Sequence, residues 1–146
     1  MADNTTSGGL SKEERDAVKE RAKELRAQEK AGKNREAGTK AVADAIAAMP
    51  EDDRILAQGL HDMVSEVAPD LFPKTWYGMP AYANADGKVV VFFKAASKFT
   101  TRYATLGFEE AAAIDDGDMF ATSFALVALT QETKKKIRDL VADAVS

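Results

Sequence analysis

The chain has no cysteine, one histidine and one tryptophan in 146 residues. Without cysteine there is no disulfide, no thiolate zinc site and no thiol nucleophile, which fits a reducing compartment. The single histidine, His61, leaves no Ser/His/Asp or Cys/His set to assemble. On a helical wheel it lies away from the Ile55, Leu60 and Val64 face, which predicts an exposed side chain. No glycine-rich phosphate loop is present, because the one Gly-Gly pair, Gly8-Gly9, follows no strand pattern. Long apolar runs are also missing. Val89–Phe93 is far too short to cross a bilayer, and the N-terminus lacks the basic start and apolar stretch of a signal peptide. These absences predict a cytoplasmic protein with no membrane association and no assignable catalytic residue.

What is there is ordinary globular material, 45% apolar and 30% charged, enough for one domain with a core of its own. The net charge of −4 conceals segregation. Residues 11–40 hold ten basic against seven acidic side chains, and residues 41–87 hold two against eight. Lys88, Lys94, Lys98 and Arg102 follow with no acid among them. Then come Glu109, Glu110, Asp115, Asp116 and Asp118 with no base.

Residues 1–10 are small and polar, the composition of a disordered tail. Ser11 with Glu14 three residues later forms a capping-box pattern that predicts a helix to about Lys30. That helix is highly charged, and Val18, Ala22 and Leu25 make only a narrow apolar stripe. Ala31-Gly32-Lys33-Asn34 predicts a break, and an Ala-rich second helix then runs from about Arg35 to Met49. Pro50 and the acids after it start a strongly amphipathic helix that Pro69 closes. From Lys74 the period changes to that of strands: Thr75–Ala83, interrupted by Gly78 and Pro80, then Lys88–Lys94, Phe99–Leu106 and Met119–Leu126. Asn84–Gly87 makes a hairpin turn between the first two, and Val89–Phe93, apolar on both faces, suits a central strand. Thr130 and Thr133 open a last amphipathic helix. The expected class is α+β: a mostly antiparallel four-stranded sheet, helices packed on one face, and an N-terminal helical extension. The domain plan is a tail over 1–10, a charged extension over 11–40 and the α+β domain over 41–146.

Three groups of side chains could carry chemistry. Asp115, Asp116 and Asp118 place carboxylates densely enough to offer oxygen ligands to a hard cation, or to accept backbone N–H bonds in a turn. Glu51, Asp52 and Asp53, with Asp62 and Glu66 further along the same helix, have the same two uses, as ligands or as cap and solvated face. Trp76, Tyr77, Tyr82, Lys94, Lys98 and Arg102 belong to an aromatic stretch interleaved with cations. Presented together on a sheet, they would bind an anionic small molecule or single-stranded nucleic acid. The competing assignment puts the rings in the core and the cations at strand ends.

The run Trp76-Tyr-Gly-Met-Pro-Ala-Tyr82, followed by Gly87-Lys88 with an aromatic strand, Lys98, and Ile114-Asp-Asp-Gly117, resembles the YdhG-like family, domain of unknown function 1801. The resemblance spans about Met49 to Val145. It implies a frataxin-like sandwich of order α-β-β-β-β-α and, through an iron-chaperone relative, weak binding of Fe2+ for delivery to a protein client. The matching carboxylates are Glu51, Asp52, Asp53, Asp62 and Glu66.

Overall fold

The computed structural model describes residues 11–146, and the side chains of all of these except residues 24 and 27–33. The tail assigned to residues 1–10 lies outside the described residues. The chain divides into two compact units, Met1–Asn34 and Arg35–Ser146.

Helix α1 spans Lys12–Ala47. The capping box at its start is formed: Ser11 Oγ accepts from the Glu14 amide at 3.1 Å, and Glu14 Oε1 accepts from the Ser11 amide at 3.4 Å. The predicted break at 31–34 is not one. A glycine inside a helix costs about 1 kcal/mol, and with no proline nearby that is too little to end it. In the first unit Val18 and Leu25 are exposed, as the narrow stripe implies.

The second unit is an α+β domain. After the last turns of α1 come α2 (Glu51–Val67), strands β1 (Phe72–Trp76), β2 (Met79–Ala83) and β3 (Val89–Lys94), the single turn α3 (Ala96–Phe99), β4 (Ala104–Phe108), β5 (Ser123–Leu126) and α4 (Gln131–Ala144). The strands form an antiparallel meander in chain order, β1-β2-β3-β4-β5. It has five strands where the sequence suggested four. The difference arises at Tyr77-Gly78. Both residues have positive φ, 51° and 77°, so the chain reverses there instead of bending, and Thr75–Ala83 becomes a hairpin with Trp76 opposite Met79. Positive φ at two successive loop residues marks a type I′ turn, for which glycine at the second position is the usual solution. β2 is therefore an inner strand. Pro80, which has no N–H, is accommodated because pairing with β3 begins one residue later, at Ala81 opposite Phe92.

Val42 and Ile46 of α1, Leu56, Leu60, Met63 and Val64 of α2, and Ile137, Val141 and Ala144 of α4 pack with Tyr82, Val91, Phe93, Leu106, Phe108 and Leu126 from one sheet face. Tyr82 and Val91 are paired, as are Phe93 and Leu106, which places all four on that face. The register shifts beside Ala83, so Val90 and Val91 both enter the core. Phe92 turns to the opposite face and lies across Gly107, where a Cβ would collide with its ring. Among the described residues, no helix is long and apolar enough to cross a membrane.

Candidate functional site

One end of the sheet gathers the β1–β2 turn, the end of β3, α3 and the loop into β4. The segment after β3 was expected to begin a strand at Phe99, but a buried carboxylate winds it into a turn of helix. Asp53, only 5% exposed in the first turn of α2, accepts from the amides of Ala96 (3.2 Å) and Ser97 (3.1 Å) and from the Ser97 hydroxyl. Two otherwise orphaned N–H groups at the start of α3 are thereby satisfied, and α3 is fixed to α2. At its far end Thr100 adopts a left-handed conformation, φ 54°, and its amide returns to the Ala96 and Ser97 carbonyls. The Thr101 hydroxyl donates to the Tyr103 carbonyl at 2.9 Å and closes the loop.

This scaffold holds the cations beside aromatic rings. The Lys98 ammonium donates to the Tyr77 carbonyl at 3.3 Å and passes directly over Gly78. Lys94 and Lys98 lie 4.7 and 5.7 Å from the centre of the Phe99 ring, and the Arg102 guanidinium lies 5.1 Å from that of Tyr103. Tyr77, held at positive φ, is 80% exposed; its ring meets Trp76 at 5.2 Å, and Trp76 meets Phe92 edge-on at 5.4 Å. Among the described residues, neither Lys94, Lys98 nor Arg102 forms an ion pair with a carboxylate. The only two non-glycine residues of positive φ described, Tyr77 and Thr100, both sit here. Such strain persists where surrounding contacts over-determine it, and it concentrates at binding and catalytic sites.

Of the aromatic and basic residues singled out from the sequence, Trp76, Tyr77, Lys94, Lys98 and Arg102 belong to this end of the sheet. Tyr82 does not. It is buried on the helix-covered face, where its hydroxyl lies 2.9 Å from Nδ1 of His61. His61 is accordingly half-buried instead of exposed, and burial lowers its pKa below the ordinary 6.5. Burial also raises the Tyr82 pKa far above the ordinary 10.0. Phe99 and Tyr103 are the site residues that the ligand set omitted. Phe99 ends α3 and Tyr103 lies in the loop before β4, so each ring stands beside a cation.

The acidic residues are dispersed. Asp53 is buried against α3, Asp62 accepts from Gln58 Nε2 at 2.9 Å, and Glu66 pairs with Arg138 at 3.2 Å. Glu51 and Asp52 are exposed in the first turn of α2, and Asp115, Asp116 and Asp118 are exposed in the β4–β5 connection. Among the described residues, no three carboxylate or imidazole side chains come together in a group that could hold a metal ion. No protein-family model, curated protein or solved structure matches the chain.

Proposed function

We propose that the protein is a non-enzymatic binding module that holds an anionic ligand carrying an aromatic ring at the Tyr77–Lys98–Arg102 end of its sheet. That is the chemistry of a nucleotide, free or within single-stranded nucleic acid. The observation that carries this reading is Lys98: its ammonium is anchored by the carbonyl of a strained, exposed tyrosine and, among the described residues, forms no ion pair with a carboxylate. Lys94 and Arg102 add two more cations on the same segment, and Tyr77 and Trp76 offer stacking surfaces at a shared edge. A base stacked on an aromatic side chain gains about 1–3 kcal/mol, and the phosphate contributes a term that salt weakens. Membership of the YdhG-like family, with its frataxin-like arrangement, is part of this proposal. Its support is that the motif from Trp76 to Tyr82 makes one hairpin, whose turn presents the site. Among the described residues, iron delivery to a protein client has no comparable grouping of carboxylates behind it.

Trp76 is the only tryptophan, so its fluorescence reports directly on the site. Adenosine monophosphate and a short oligothymidylate, titrated separately at low salt, distinguish the free from the polymeric ligand. Saturable quenching that weakens as salt rises, and at least fivefold weaker binding in Lys98→Ala and in Arg102→Ala, is the expected result. Fluorescence unchanged at millimolar concentrations of both would overturn the proposal.

A further inference from the structure

The meander leaves two outer strands, β1 and β5, and the chain treats them differently. β1 carries Pro73 and Lys74, two residue types that discourage a further strand from pairing. β5 lies within Met119–Gln131, a stretch with no charged residue and no proline. The most exposed large apolar side chains described include Met119 (92%) and Val127 (76%), one on each side of β5.

The register states which backbone groups are open. The Phe108 amide donates to the Thr122 carbonyl at 2.8 Å, and Leu106 and Ala104 stand opposite Phe124 and Leu126. Thr122, Phe124 and Leu126 thus face β4 with both their N–H and C=O groups, and Ser123, Ala125 and Val127 face outward. Ser123, Ala125 and Val127 are all exposed. Beside this edge, on the helix side, a cavity of about 160 Å³ is walled by Leu106, Phe124, Leu126, Ile137 and Leu140.

We infer that the outer edge of β5 pairs antiparallel with the same edge of a second copy of this chain, joining two sheets into one. A two-fold axis through Ala125 makes it exchange both backbone hydrogen bonds with its own copy and sets Ser123 opposite Val127. In such a pairing Ala125 meets its own copy and Ser123 meets Val127, so a charge at 125 would meet an equal charge and a charge at 123 or 127 would find no opposite charge to pair with. The thirteen uncharged residues from Met119 to Gln131 are what a self-pairing edge requires. A heterologous partner would place no such demand. The half-buried Phe124 and Leu140 lie beside the join and give it an apolar second layer.

Light scattering after gel filtration of the full chain decides the matter. The expected mass is twice 15.7 kDa at tens of micromolar protein, falling to one chain in Ala125→Lys and in Val127→Lys. Val127 lies outside the strand and is exposed, so its substitution leaves the fold intact, which far-ultraviolet circular dichroism verifies. Thr75→Lys on β1 should leave the doubled mass unchanged. A single-chain mass at millimolar concentration overturns the inference, as does a dimer that survives both lysines or an open-ended series of larger species.

Discussion

At the scale of single residues, the chain places strain where it places exposed chemistry. Tyr77 in a left-handed conformation costs about 1–2 kcal/mol, and that cost is tolerable because Gly78 beside it has none. Gly78 also lies under the Lys98 ammonium, so a side chain here would displace the very group that defines the site. Gly78→Ala should therefore lower stability by about 1–2 kcal/mol. Asparagine, more at ease at positive φ, should cost less. Urea denaturation of the three proteins tests that order, and equal midpoints would refute the turn geometry as the reason for glycine.

The elements are coupled by a small number of buried polar contacts. Asp53 is the clearest: a residue of α2 terminates β3 and shapes α3 by accepting two backbone amides and a hydroxyl. Asp53→Ala deprives the part-buried Ala96 and Ser97 amides of their acceptor, a loss of about 1–3 kcal/mol in all. Because α3 carries Lys98 and Phe99, the same substitution should weaken binding of the proposed anionic ligand while leaving Lys98 and Arg102 themselves unaltered. Ser97→Ala retains both amide contacts and should do much less. Comparable losses in both variants, measured by thermal melting and by Trp76 fluorescence titration, would show that the hydroxyl, not the carboxylate, orders the turn. Arg35 plays a similar part at the other end of α2, donating to the carbonyls of Pro69, Asp70 and Leu71 while lying 4.2 Å from the centre of the Phe72 ring.

Over the whole Arg35–Ser146 unit, the burial of His61 and Tyr82 makes stability depend on pH at both ends of the scale. Burial depresses the His61 pKa below 6.5, so below that pH the unfolded chain takes up a proton that the folded one resists. Stability should be flat above pH 6.5 and fall as the pH drops through the depressed value. Tyr82 acts in the opposite direction. Its raised pKa means that above pH 10.0 the unfolded chain ionises first, so stability falls again. His61→Gln should flatten the acid limb and leave the alkaline limb. Chemical denaturation across the pH range measures both, and an acid limb unchanged in that variant would assign it to the carboxylates instead.

The class of the fold, the amphipathic helices α2 and α4, the Asn84–Gly87 turn and the central position of β3 are legible in the residues alone. Each of these follows from periodicity, capping or turn chemistry within a few neighbouring residues. Thr130, for example, does cap α4, accepting from the Thr133 amide at 3.1 Å. The clustering of cations along residues 88–102 is likewise visible in one dimension. The rest depends on contacts between elements far apart in the chain. Whether Tyr77-Gly78 bends a strand or reverses it depends on pairing between β1 and β2. Whether Phe99 begins a strand or ends a helical turn depends on Asp53, which lies 43 residues before Ala96. Tyr82 and His61 were assigned to surfaces because neither residue alone reveals the other as its partner across the core. A side chain's face is set locally, but its neighbour is set by the packing of elements distant in sequence, and that packing separated the buried polar groups from those left exposed at the end of the sheet.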